Sequence, residues 1–184
     1  MTGVQTCALP ISPGSSCRIT TPFHEVLPKT FSRGGHDGQS YQISQWYPKP
    51  AVYDRFGWHP IPYLDQGEFY SEYGNFDVKI TLPDNYTVGA TGDLQPDSKS
   101  EMTRLEALDQ YTRAKFNLPV NKSYPSQDVS FIHFANKDSF PPSSEKMKTL
   151  HYIQSNVHDF AWFADKRFYV LKDNVQLEDK KKIC

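Results

Sequence analysis

The run Phe76-Asp-Val-Lys-Ile-Thr-Leu82 alternates apolar with polar residues without a break, and Pro83-Asp-Asn85 follows it directly. Period-two alternation sets the apolar side chains on one face of a pleated strand. Pro-Asp-Asn is a turn signal, so Tyr86-Thr-Val-Gly-Ala-Thr91 reads as the returning hairpin partner. A chain with such a centre is expected to be built on β-structure. The composition agrees: 14 % of the 184 residues are aromatic and 14 are proline, a balance that suits strands and loops better than a helical bundle.

Other segments fit around this centre. Residues 13–40 are rich in Gly, Ser, Pro and Thr, and Arg33-Gly-Gly-His-Asp-Gly38 reads as turn and loop. Gln39 to Trp46 suggests a strand, ended by Pro48 and Pro50, which lack the ladder donor. Residues 51–66 form an aromatic loop, and Gly67 to Glu72 is strand-like. Ser98-Lys-Ser-Glu101 has the form of a capping box, with Met102, Leu105, Leu108 and Tyr111 following at helical spacing. This predicts a helix over about 99–116, closed by Pro119. Strands are expected at Val129–Phe134, Lys148–Gln154 and from Phe168, with a compact aromatic turn at His158–Phe163. The sum is a mainly β fold, a β-sandwich with one helical insertion.

The charge balance excludes several classes of partner. Twenty basic residues face 21 acidic ones, a net charge of −1, which gives no bulk attraction to nucleic acid or an anionic membrane. No apolar run approaches the length of a membrane span. The three cysteines, Cys7, Cys17 and Cys184, match neither a disulfide lattice nor zinc-finger spacing. Met1 to Ser12, MTGVQTCALPIS, has no basic start and no long apolar stretch, so it is a poor signal peptide. It resembles translated sequencing-adapter DNA rather than a part of the folded domain. The expected organisation is an artefactual or disordered segment at 1–12 and a partial β-domain at 13–173. Residues 174–184 are read as the cut start of a connection to a further domain.

Few residues form a chemical constellation. His24-Glu-Val-Leu-Pro28 begins like His-Glu-x-x-His, but Pro28 replaces the second His and opposes the helix that must align the two imidazoles. His36, His59, His133, His151 and His158 show no paired ligand spacing, so no metal ligand is assigned. Asp65, Glu68, Glu72 and Asp77 crowd one stretch; such carboxylates can serve glycoside hydrolysis or calcium binding, and a solvated or bracing role fits better. Aromatic residues are densest from Tyr41 to Phe76. They suit either core packing or stacking on sugar faces. Asn85-Tyr-Thr87 and Asn121-Lys-Ser123 fit the glycosylation sequon.

Tyr41-Gln-Ile-Ser-Gln-Trp-Tyr-Pro-Lys-Pro-Ala-Val-Tyr-Asp54, Gly57-Trp-His-Pro60, Tyr63-Leu-Asp-Gln-Gly-Glu-Phe-Tyr70, Phe76–Pro83, Val88-Gly-Ala-Thr-Gly92 and Val157-His-Asp-Phe-Ala-Trp-Phe-Ala164 occur in order. Together they resemble the N-terminal domain of aminopeptidase-N-like zinc metallopeptidases, the gluzincins, in their Bacteroidetes-type form. The resemblance covers residues 19–173. It implies a saddle-like β-sandwich docked on a thermolysin-like catalytic domain. There zinc is held by two His and a Glu, and a further Glu activates the zinc-bound water. None of those residues is present, so the resemblance implies no catalytic residue, no metal ligand and no cofactor in this chain, with zinc belonging to the parent enzyme. The implied partners are the missing catalytic domain and a peptide substrate. The implied location of the parent is the periplasm or envelope of a bacterium.

The resemblance further implies that Ser44-Gln-Trp-Tyr-Pro48 borders the active site and that Gln45 and Tyr47 bind the substrate's amino end. On a strand, residues two apart share a face. Aminopeptidases of this type carry Gln or Glu at the Tyr47 position. A carboxylate gives an ammonium about 1.5–3 kcal/mol, a phenol nearer 1 kcal/mol, which bears on strict aminopeptidase specificity. The alternative from another class is a standalone β-sandwich module that binds carbohydrate through the aromatic loop 46–76; a third is a structural domain without a ligand. A sandwich lacking strands exposes edges and apolar patches, so the chain is expected to be poorly soluble or partly molten.

Overall fold

The computed structural model describes residues 12–30, 33–62, 64, 66–67, 69–118 and 139–172, and the backbone pairing of 175–176 with 182–183. The predicted strand at Val129–Phe134, the second sequon, Tyr63, Asp65, Glu68, His133, Cys7 and Cys184 lie outside the described residues.

The strands in chain order are β1 (Gly35–Asp37), β2 (Ser40–Ile43), β3 (Val52–Asp54), β4 (Gly57–His59), β5 (Gly74–Pro83), β6 (Thr87–Ala90), β7 (Asp93–Leu94), β8 (Met147–Val157), β9 (Trp162–Asp165), β10 (Val175–Gln176) and β11 (Lys182–Ile183). Between β7 and β8 run a 3₁₀ turn, Pro96–Ser98, and one helix, α1 (Lys99–Phe116). The fold is mainly β. One sheet has the order β1-β2-β9-β6 and a second β5-β8-β7, all neighbours antiparallel; β3-β4 and β10-β11 are separate pairs.

The two larger sheets share one core. Ile80 and Leu82 of β5 and Leu150 and Tyr152 of β8 meet Val88 of β6, Ala164 of β9, Tyr86 and Phe160. Phe160 is 0 % exposed. Tyr41, Trp46, Tyr47 and Phe76 pack on the rim of this cluster. The aromatic run is therefore divided: part of it builds core, and part stands in solvent.

Several expectations change in the folded chain. The turn after β5 forms, with Tyr86 N donating to Pro83 O at 3.1 Å. The segment after it does not return along β5; Thr87–Ala90 crosses to the other sheet and pairs with β9. The partner of β5 is β8, whose eleven residues match its length and whose Leu150 and Tyr152 extend its apolar face. Asn85 fixes the entry of β8 beside the turn, donating to Pro142 O at 2.9 Å and accepting from Ser144 N at 3.1 Å. The first sequon thus has its amide engaged and its Thr87 buried.

The predicted helix forms, but its capping box does not. Ser98 makes no side-chain cap bond. Its hydroxyl instead accepts the backbone N–H of His151 at 3.1 Å, tying the helix start to β8. Glu101 is also diverted, to Lys148 at 2.7 Å and Arg104 at 3.0 Å. The buried residues of α1 are Glu101, Thr112 and Arg113, so polar anchors rather than the Met102–Tyr111 stripe hold it. Asn117 ends the helix in the left-handed conformation (φ 52°), and Leu118 N donates to Arg113 O at 2.9 Å, which satisfies carbonyls that the last turn leaves open.

Three further elements differ. Gly35–Asp37, read as loop, is a short strand held between β2 and a parallel bridge to Lys29. The aromatic loop contains the β3-β4 hairpin. Neither the described residues of 67–72 nor 168–171 form strands.

Candidate functional site

β2 sits inside its sheet, bonded to β1 and β9, and stops at Ile43. Ser44 leaves the ladder and donates its hydroxyl to Arg33 O at 2.7 Å. Trp46 turns the other way and donates its indole N–H to Phe160 O at 3.0 Å. Gln45, between these two tethers, takes φ 53°. That left-handed geometry is costly for a residue with a Cβ, on the order of 1 kcal/mol or more, and persists where neighbours over-determine it.

The kink borders an open cleft of about 270 Å³. Gln45 lines it together with Gln42, Glu25, Arg33, Gly34 and Phe69. Arg33 also donates to Gly67 O, which draws the residue 66–67 turn to the same place. The cleft therefore carries one amide at a kink, a second amide, a carboxylate and a guanidinium on walls made partly of backbone.

Tyr47 does not line this cleft. The strand argument that put Gln45 and Tyr47 on one face fails because neither residue is in a strand; β2 ends two residues earlier and the chain kinks at Gln45. Tyr47 packs edge-on against Trp46 and Phe76, with ring centroids 5.3 and 5.6 Å away. Its hydroxyl donates to Asp159 Oδ1 at 3.2 Å. Asp159 also pairs with Lys49 at 3.1 Å and accepts Phe160 N at 2.7 Å. Burial, then the negative charge of Asp159, pushes the phenol far above its ordinary value. Tyr47 is thus a neutral donor to Asp159 whose oxygen can still accept a hydrogen bond. Asp159 joins this cluster across 112 residues of sequence, hinted at only by the family-like Val157–Ala164 segment, whereas Lys49 stands two residues from Tyr47 within the Tyr41–Asp54 motif.

The other predicted candidates lie apart. His24 is exposed in an extended run. His36 contacts Gly38 O at 3.2 Å, His59 contacts Asp54 at 2.8 Å, and His158 packs edge-on against Tyr73. His151 bridges Asp97 at 3.0 Å and Asp77 at 2.8 Å, so Asp77 belongs to a sheet-surface clamp rather than to an acidic cluster. Among the described residues no three His, Cys, Asp or Glu side chains converge so as to hold a metal ion.

The β3-β4 hairpin carries three exposed aromatics, Tyr53, Phe56 and Trp58. Tyr53 lies opposite Trp58, ring centroids 5.0 Å apart, and Trp58 is 68 % exposed. Asp54 shapes the tip by accepting from His59 and from Phe56 N, and these bonds hold its carboxyl below the usual range. Phe56 stands at the tip under the Arg55 guanidinium, 4.5 Å from the ring centre.

No helix among the described residues is long and apolar enough to cross a membrane. No family model, curated protein or solved structure matches the chain.

Proposed function

We propose that this chain is the non-catalytic, substrate-side N-terminal domain of an aminopeptidase-N-like zinc metallopeptidase, a saddle-like β-sandwich whose hydrolytic chemistry belongs to a separate catalytic domain. The observation that carries the reading is the kink at Gln45: a half-buried amide held in unfavourable backbone geometry at the rim of an open cleft. Strain kept at one such residue is a mark of sites that position a ligand. Glu25, in the same cleft, supplies the carboxylate that the Tyr47 position lacks relative to the family pattern. Tyr47, bonded to Asp159 outside this cleft, braces the chain that leaves the kink. Ile19, Phe23, Val26, Tyr53, Phe56 and Trp58 are exposed, and a docked domain would cover such side chains. An exported parent, periplasmic or envelope-associated, remains part of the same proposal.

The test uses the longer protein that contains a His-Glu-x-x-His domain. Gln45→Ala should raise KM for free-amine peptides about fivefold, the worth of one neutral hydrogen bond, and should leave N-acetylated peptides unaffected; Tyr47→Phe, outside the cleft, should have a smaller effect on the same KM. Normal turnover in both variants would remove the site assignment. A gene that continues without a zinc motif would remove the parent assignment. The exposed Tyr53–Trp58 pair favours a second reading, a carbohydrate-binding module. Sugar titrations that Trp58→Ala abolishes would establish that module instead.

A further inference from the structure

The three-stranded sheet runs β5-β8-β7, so among the described residues β5 is bonded on one side only. The phase of its ladder follows from Asp84 N donating to Lys146 O at 2.9 Å. In an antiparallel pair the bonded positions alternate. Val78, Ile80 and Leu82 therefore turn their backbone groups to β8, and Asp77, Lys79 and Thr81 turn theirs outward. Among the described residues no backbone group bonds to those outward positions. A strand of ten residues with such an edge is a template for another strand.

The side chains restrict which strand fits. Phe76, Val78, Ile80 and Leu82 share the core-facing side; Ile80 and Leu82 are buried, whereas Phe76 and Val78 are only half-covered. Asp77 and Lys79 share the opposite side. Consider two copies of β5 paired antiparallel about a two-fold axis. Centring on Asp77 sets that carboxylate opposite its own copy, and centring on Lys79 does the same for two ammonium groups. Centring on Val78 sets Asp77 opposite Lys79 twice, and it joins outward N–H to outward C=O at both positions. It also brings Phe76 beside Ile80 of the other copy, covering the exposed part of the apolar face. Like charges directly opposite destabilise a ladder and unlike charges support it. Asp77 is 67 % exposed and uses one oxygen for His151, which leaves its second oxygen for the partner lysine.

We propose that β5 is a self-pairing edge: two copies of this chain join antiparallel through β5, in the register centred on Val78, with Asp77 and Lys79 as reciprocal cross-strand pairs. This goes beyond the peptidase reading and does not depend on it.

Sedimentation equilibrium and amide hydrogen exchange of the full 184-residue chain test it, with far-UV circular dichroism confirming the fold of each variant. The expected result is a dimer in which the Asp77, Lys79 and Thr81 amides are protected. Lys79→Asp leaves the His151 contacts in place and sets two carboxylates opposite each other, so it should weaken dimerisation at least about tenfold. Asp77→Lys combined with Lys79→Asp restores opposite charges and should restore much of the affinity. Lys79→Pro removes only an outward N–H, which an edge strand tolerates, and should leave a folded monomer. A wild-type monomer at every concentration tested would overturn the proposal. So would a dimer indifferent to Lys79→Asp and Lys79→Pro, or protection of these amides in a monomer, which would mean that another strand already covers the edge.

Discussion

Glu101→Gln is the substitution whose cost follows most directly from the structure. The Glu101 side chain is 4 % exposed and lies 2.7 Å from Lys148, itself 14 % exposed. Lys148 also donates to Tyr86 O at 2.6 Å, and Arg104 joins Glu101 to Thr87. The cluster binds α1 to β8 and to the chain entering β6. Gln keeps the shape and removes the charge, leaving a buried ammonium with only neutral partners. Breaking a buried pair on one side costs about 3–5 kcal/mol. The lower end applies, because Arg104 is 31 % exposed and stays hydrated and because Lys148 retains Tyr86 O. We expect a loss of about 3 kcal/mol, or roughly 6–12 °C in Tm for a domain of this size. Glu101→Leu with Lys148→Met replaces the pair by apolar side chains and should fall within about 1 kcal/mol of the parent. The loss should also depend on pH. Burial, against the pull of Glu101, already lowers the Lys148 pKa from 10.5. Below that value the unfolded chain binds the proton more tightly, so stability gained by neutralising Lys148 rises as pH rises towards 10.5. In Glu101→Gln this rise should be steeper and begin at lower pH. Thermal melts followed by near-UV circular dichroism from pH 7 to 10 provide the measurement. A loss below about 1 kcal/mol, or a double variant as unstable as the single one, would refute the claim that this pair anchors the helix.

Two further outcomes are expected. Hydrogen bonds to Asp97 and then Asp77 raise the His151 pKa above 6.5; a group whose folded value is raised stabilises fully below its unfolded value and loses that contribution as pH climbs through the folded one. His151→Gln should thus be less stable than the parent near pH 6 and converge with it at alkaline pH, and a gap constant across pH in thermal melts would contradict the clamp. Gly92→Ala should cost about 1–3 kcal/mol in denaturant midpoints, because Gly92 has φ +92° and an added Cβ would lie 2.7 Å from Ile153 O; an unchanged midpoint would show that the backbone there can yield.

The elements with a strong internal period were legible in the sequence. β5 and β8 alternate over most of their length, and α1 begins and ends where the residue pattern places it. What escaped depends on distant partners. Thr87–Ala90 looks like a returning hairpin strand, and only the longer β8 shows why β5 is already taken. Ser98 and Glu101 have the spacing of a cap, yet His151 and Lys148 claim both side chains. The same holds at the candidate site. The family resemblance singled out Gln45 and Tyr47, but the early end of β2, the left-handed kink and Asp159 decide that the two residues face different surroundings. Gly35–Asp37 carries no apolar period and becomes a strand because Pro28, Thr30 and Gln42 supply partners on both sides.

β9 lies between β2 and β6 although it is the last of the three to be made. The bond from Trp46 to Phe160 spans 114 residues. At ribosomal speeds of about 5–20 residues per second, the β2 end waits roughly 6–23 s for the segment that separates and joins the two strands. During that interval neither Ile43 of β2 nor Val88 of β6 has its β9 neighbour. Synthesis of this domain therefore creates an obligatory nascent state in which the strands on either side of β9 are still unjoined.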